Sequence, residues 1–159
     1  MILVLLFGCS DNLKTEKSSA LNVPTHYQIE KTAIGSSTGQ GWTHNLNYEI
    51  KNGVVTGTMT TNWQDVTGGK TSCNAEYLLS GEDCWKGLCY GEERTWKCSG
   101  GYYPETYEEI LVEIMNHEEL IPFLSNQECN EQICFENNHL SYLSIGSRFS
   151  KTWRITVLS

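Results

Sequence analysis

Basic residues are scarce in this sequence. Its 159 residues include 11 Lys and Arg against 19 Asp and Glu, and the formal net charge is −8 at pH 7. A protein that binds nucleic acid needs a basic patch to neutralise phosphates. Only Arg148, Lys151 and Arg154 lie close together, which is too few for such a patch. We therefore expect no nucleic acid partner.

Motifs of metal binding and catalysis are lacking as well. The histidines at 26, 44, 117 and 139 have no His-Glu-x-x-His spacing, and no Cys-x-x-Cys pair is present. The glycine-rich segment 35–41 lacks the Gly-Lys-Ser/Thr ending of a phosphate-binding loop and predicts a hairpin loop instead. The sequence thus predicts no catalytic residue, no metal and no cofactor. An enzyme of unrecognised type is therefore the last of the three functional hypotheses, and the other two are binding roles that are given below.

No apolar run is long enough to cross a bilayer, which takes about 20 residues. The apolar residues 1–7 lead into Gly8 and Cys9, and the stretch Leu-Phe-Gly-Cys resembles the lipobox of bacterial lipoproteins. The resemblance implies that residues 1–8 are a signal segment and that Cys9 carries the lipid. Because Ser10 stands where Asp would favour inner-membrane retention, it also implies an outer-membrane lipoprotein that faces the periplasm or the cell surface. The alternative is a buried N-terminal strand with an ordinary cysteine.

The organisation after the lipid site is simple. Residues 9–24 are polar with little apolar periodicity, which predicts a flexible tether. With 39% hydrophobic residues and 3 prolines, the remainder has the composition of a folded chain. We predict one domain over 25–159, with a disulfide-stapled loop region at 73–98 that we call the cysteine lobe.

Six cysteines remain besides Cys9, and an exported compartment lets them form disulfides. Spacing favours bridges across the short loops, with the remaining pair enclosing one of them: Cys84–Cys89, Cys129–Cys134 and Cys73–Cys98. Two alternatives stay open. One is a serial pairing, Cys73–Cys84 with Cys89–Cys98, and the other is a zinc site built from those same four cysteines.

Local patterns predict both strands and a helix. Asn52-Gly53 is a strong hairpin signal that joins strand 43–51 to strand 54–63. Residues 106–109, Thr-Tyr-Glu-Glu, form a capping box, and apolar residues then recur at helical spacing. Alternation over 153–157 predicts a final strand. We expect an α+β fold, in which one main helix packs on an antiparallel sheet and the cysteine lobe lies outside it.

Aromatic residues are concentrated in and after the cysteine lobe. Exposed Trp and Tyr on a rigid loop are the usual material of binding hot spots. We therefore predict contact residues at Trp85, Tyr90, Trp96, Tyr102 and Tyr103. The alternative is that these rings cover the disulfides.

The segment Ser99-Gly-Gly-Tyr-Tyr103 resembles the Ser-Gly-x-x-Tyr motif of bacterial periplasmic lysozyme inhibitors. In that family a loop is presented to the cleft of the enzyme. The resemblance implies that Ser99 and Tyr103 contact a target.

Charge gives a further candidate surface. Residues 105–136 contain nine acidic side chains and no Lys or Arg, which suits either a solvated face or a docking surface for a basic protein. The leading functional hypothesis is a non-enzymatic binding or accessory lipoprotein. The second is an inhibitor or immunity protein directed against a basic cell-wall hydrolase or toxin.

Overall fold

The computed structural model describes residues 23–114, 129, 133–136, 139–145 and 149–158. The signal segment, Cys9 and most of the proposed tether lie outside the described residues. Within them, no helix is long and apolar enough to cross a membrane.

In the described part of the chain, nine antiparallel strands form one sheet. The strands are β1 His26–Ser37, β2 Gln40–Lys51, β3 Val54–Gln64, β4 Lys70–Ser80, β5 Asp83–Cys89, β6 Glu92–Lys97, β7 Ile133–Glu136, β8 His139–Ile145 and β9 Phe149–Val157. Their order across the sheet is β6-β5-β4-β3-β2-β1-β9-β8-β7. The chain thus runs as a meander from the centre to one edge, and its last strand returns to pair with β1.

One face of the sheet carries the core. Because side chains alternate along a strand, residues two apart share a face. On this inner face Ile29, Leu46, Met59 and Ile155 are fully buried. The opposite face is polar, and Thr32–Asn45 and Thr60–Asn74 hydrogen bonds join neighbouring strands there.

Helix α1, Tyr107–Ile114, closes over the inner face. The predicted capping box is confirmed, since the Glu109 amide donates to Thr106 Oγ1 and the Thr106 amide donates to Glu109 Oε2. Ile110 and Leu111 are buried against the sheet. The predicted end of the helix, near Asn116 or Leu120, lies outside the described residues.

Both predicted hairpins are confirmed, and each turn uses backbone with positive φ. Asn52-Gly53 joins β2 to β3, with φ of 50° and 79°. Thr38-Gly39 joins β1 to β2 within the glycine-rich segment, with φ of 48° and 77°. Residues 35–39 also have the Gly-x-Ser-x-Gly spacing of a hydrolase nucleophile turn, but that turn must link a strand to a helix and here it links two strands.

The expected α+β class is wrong. About 70% of the described residues are in strands and 9% are helical, so the fold is essentially one antiparallel sheet. The error came from the cysteine lobe, 73–98, which we expected to be a loop region. It is instead strands β4, β5 and β6, whose short alternating patterns are interrupted by charges and by Gly87.

The expected pairing of four cysteines is also wrong. The disulfides are Cys73–Cys89, Cys84–Cys98 and Cys129–Cys134, with Cα–Cα distances of 4.5, 4.9 and 4.0 Å. Cys84 and Cys89 lie near the two ends of β5. The five residue-to-residue steps between them along an extended strand separate their Cα atoms by about 16 Å. A disulfide spans at most about 7 Å between Cα atoms. Only Cys129–Cys134 is paired as predicted, and the four sulfurs of the zinc alternative are all disulfide-bonded.

Candidate functional site

Two of the predicted contact residues are buried. Trp85 is 0% exposed and Trp96 is 4% exposed. The two indoles are cross-strand neighbours on the inner face, and Trp85 Nε1 donates to the Tyr102 carbonyl at 2.6 Å. Their prediction as contact residues is therefore wrong, and for them the alternative holds, since both pack among the disulfides in the core.

The other predicted contact residues reach the surface in two places. Tyr90 is 78% exposed at the β5–β6 turn, and the half-buried Tyr102 lies in a short 3₁₀ turn, Gly100–Tyr102. These two tyrosines line the same cleft. Ser99 and Tyr103 are exposed outside it, and the Tyr103 hydroxyl lies 3.5 Å from Glu109 Oε1.

A cleft of about 530 Å³ opens at one end of the inner face. We call it the inner-face cleft, and its lining includes Gln40, Trp63, Thr71, Tyr90, Glu92, Arg94 and Tyr102. Clefts that bind small molecules have volumes of about 300–1,000 Å³ and combine aromatic walls with a few polar groups. The volume of this cleft lies in that range, and its lining is more polar than is usual for the class.

An aromatic cluster packs against the two rings, Trp63 and Tyr102, that line the cleft. The imidazole of His44 stacks on Trp42, with ring centroids 4.6 Å apart, and packs against Tyr102 at 4.7 Å. Its edge contact with Trp63 is 6.2 Å between centroids. Gly35 lies opposite Trp42, where any side chain would collide with the indole. The wall that carries Trp63 and Tyr102 is therefore held by packing on several sides.

His44 is neutral in this environment. Burial, and secondly the charge of Lys31, lower the pKa of its imidazole to about 4. Nδ1 of His44 is buried and has no hydrogen-bond partner among the described residues, and the same holds for Oγ1 of Thr61, the residue directly opposite on β3. Buried polar atoms of this kind are uncommon in folded proteins.

Arg94 is a basic group in the lining of the cleft. Its guanidinium lies over the ring of Trp63 at 5.9 Å and over the ring of Trp96 at 5.5 Å. Cation–π contacts of this kind position a guanidinium while leaving its N–H donors free to bind. Arg94 is therefore both positioned and exposed to solvent.

Tyr90 occupies a backbone conformation that tyrosine rarely adopts. Its φ is 53°, and Gly91 follows with a φ of 78°. Such turns favour Asn or Gly at the first position, because a bulky side chain is strained there. The Tyr90 hydroxyl is hydrogen-bonded to Thr71 Oγ1, and the bridge Cys73–Cys89 ties the strand just before it to β4. Backbone conformations of this kind occur both at functional sites and in tight turns such as the one at Thr38.

A buried ion cluster lies deeper on the inner face. Lys31 is 1% exposed, and its Nζ is 3.1 Å from Glu105 Oε2. Trp153 Nε1 donates to the same oxygen at 2.9 Å. This cluster joins the segment that leads into α1 to two central strands, which gives it a structural role.

Protonation within the cluster is uneven. Burial raises the pKa of Glu113, and its hydrogen bond to Glu105 raises that pKa further. Burial also acts to raise the pKa of Glu105, but the charge of Lys31 and hydrogen bonds from its neighbours outweigh burial and lower it. Glu105 is thus the ionised partner of Lys31. Its carboxylate is paired with Lys31 and Trp153 in the core, so Glu105 does not belong to an acidic docking surface.

The rest of the acidic span is described only in part. Glu108 and Glu109 are exposed on α1, and Glu136 is exposed on β7. Glu118, Glu119, Glu128 and Glu131 lie outside the described residues. The possible basic partner at 105–136 stays a prediction.

Sequence reasoning missed Trp63, Arg94 and Trp42 as site residues. A signal for two of them was present, because the register set by the Asn52-Gly53 turn places Trp42 directly opposite Trp63. Arg94 gave no such signal. Arg94 lines the cleft because β6 pairs with β5. The expected Cys84–Cys89 bridge makes residues 84–89 a loop, so it does not predict that pairing.

Comparison with known proteins gives no assignment. No family model, curated protein or solved structure matches the chain.

Proposed function

We propose that the protein is a lipid-anchored binding or accessory module of the bacterial envelope, which holds its ligand in the inner-face cleft. The observation that carries this proposal is the cleft itself, where Trp63, Tyr90 and Arg94 meet on a frame fixed by two disulfides. Aromatic and arginine side chains on a rigid support are the groups in which binding energy concentrates.

The binding role predicts that the cleft is the preferred site for small ligands. A mixture of small polar and aromatic fragments, added to the protein and followed by nuclear magnetic resonance, should shift the indole signals of Trp63, which lines the cleft, before those of Trp153. In Arg94→Ala these shifts should weaken, because the guanidinium is the main charged donor there. Leu88→Ala, on the outer face of the neighbouring strand, is the matched control. Fragments that bind evenly over the surface, or equally well to Arg94→Ala, contradict the proposal.

The anchor rests on the lipobox resemblance at Leu6–Cys9. Cys9→Ala removes the sulfur that would be acylated, and more than one acyl chain is needed for stable membrane attachment. We expect the wild type in the membrane fraction and Cys9→Ala largely outside it, as measured by fractionation and immunoblotting. Cys129→Ala is the control, since it removes another cysteine. Equal membrane retention of Cys9→Ala and wild type contradicts the anchor.

A second candidate is an inhibitor or immunity protein. It is favoured by the exposure of Ser99 and Tyr103, the two residues that the lysozyme-inhibitor resemblance singles out, and by the exposed acidic residues Glu108 and Glu109 nearby in the chain. An assay of several lysozyme types in the presence of micromolar protein separates it from the first candidate.

A further inference from the structure

We infer that the ligand of the inner-face cleft is a short neutral saccharide. The inference rests on the proposed function, because it names the ligand class of the same cleft. Three independent features of the cleft carry it: its aromatic surface, its mixture of donors and acceptors, and its balance of charge.

The aromatic surface suits the C–H face of a sugar ring. Trp63 and Tyr102 both line the cleft, and the packing of His44 between them fixes their positions. An aromatic face carries partial negative charge, and sugar C–H bonds present partial positive charge to it. A sugar ring can therefore pack against the aromatic wall of the cleft while its hydroxyl groups face the polar side chains of the lining.

The polar groups of the cleft alternate between donors and acceptors. Arg94 only donates, Glu92 only accepts, and the side chains of Gln40, Thr71 and Tyr90 do both. A sugar hydroxyl also donates and accepts, so adjacent hydroxyls can satisfy several of these groups at once. A purely apolar ligand would displace water from Arg94 and Glu92 without replacing its hydrogen bonds, which is costly.

Charge in the cleft argues against an ionic ligand. Glu92 and Arg94 lie two residues apart on one face of β6, and Glu93, which is 3.6 Å from Lys86, lies at the cleft margin. An anion would meet these carboxylates, and a cation would meet the guanidinium. A neutral ligand avoids both repulsions.

Tyr90 supplies the rim. With 78% of its surface exposed at a position that disfavours tyrosine, its ring is available to cover a bound sugar from the solvent side. Asn would suit this turn better than Tyr, so the turn itself does not require the tyrosine ring.

The test is a fluorescence titration of the full-length protein in a zwitterionic detergent, because detergents with sugar headgroups would compete. The probes are cellobiose, maltose and N,N′-diacetylchitobiose, with sodium sulfate and choline chloride as ionic comparisons. We expect saturable binding of at least one disaccharide and none of either ion. Arg94→Ala and Tyr90→Asn should each weaken the disaccharide by about tenfold, the loss of one charged or aromatic contact, and Leu88→Ala should not.

Tyr90→Asn also separates binding from folding, since its melting temperature should equal or exceed that of the wild type. Loss of affinity without loss of stability supports the inference. Saturable binding of an ion in place of the sugars, disaccharide binding that Arg94→Ala and Tyr90→Asn leave unchanged, or no disaccharide binding at all overturns it. If the fragments occupy the cleft and no disaccharide does, only the saccharide class fails. If neither binds there, the proposed function fails with it.

Discussion

Glu105→Ala should lower the free energy of unfolding by about 3–5 kcal/mol, the cost of leaving a buried charge without its partner. Lys31 is 1% exposed, and Glu105 is the carboxylate 3.1 Å from its ammonium. The same substitution removes the acceptor of Trp153 Nε1 and the hydrogen-bond partner of Glu113. Chemical denaturation followed by tryptophan fluorescence measures the loss.

Two further variants make the Glu105 result specific. Glu108→Ala removes an exposed carboxylate from the same segment and should change stability by no more than about 0.5 kcal/mol. The double variant Lys31→Met with Glu105→Leu removes both charges and should recover most of the loss, because apolar residues of similar volume often replace a buried ion pair without cost. A double variant as unstable as Glu105→Ala would show that the charge of Lys31 is not the cause.

Removing the Cys73–Cys89 bridge should lower the free energy of unfolding by about 3 kcal/mol. This disulfide closes a separation of 16 residues, whereas Cys129–Cys134 closes 5. Because the constraint on the unfolded chain grows with loop length, Cys73→Ala with Cys89→Ala should cost more than Cys129→Ala with Cys134→Ala, which should cost about 2 kcal/mol. Denaturation of both double variants without reductant gives the comparison.

The pairing itself can be read from peptides. Cleavage after Lys and Glu under non-reducing conditions separates Cys73, Cys84, Cys89 and Cys98 into the fragments 71–76, 83–86, 87–92 and 98–105. The structure requires 71–76 to be joined to 87–92, and 83–86 to be joined to 98–105. A fragment that joins 83–86 to 87–92 would restore the pairing expected from spacing and contradict the fold around β5.

Features that depend on a few neighbouring residues could be predicted from the sequence. The turn at Asn52-Gly53, the capping box at Thr106 and the last strand depend on local backbone preferences, and all three are confirmed. The capping box predicts where the helix begins but not how far it extends. A helix of 8 residues does not set the fold class when most of the described residues lie in strands.

Features that depend on which strands pair could not be predicted. Cys84 and Cys89 are close in sequence, and the intervening Trp-Lys-Gly-Leu favours a loop because glycine is common in turns. Gly87 serves another purpose, since a side chain there would collide with the backbone of β4 at Asn74 and Ala75. Once β5 is recognised as a strand, Trp85 and Trp96 must face the core and Arg94 must enter the cleft.

The direction of β1 has a consequence for orientation at a membrane. This strand begins at His26, next to the proposed tether, and ends at Ser37, one turn away from Gln40 in the cleft lining. Eleven steps along an extended strand cover about 36 Å. If a lipid at Cys9 holds the chain, the proposed tether joins the domain at the end of β1 away from the cleft, so the attachment itself leaves the mouth of the cleft uncovered.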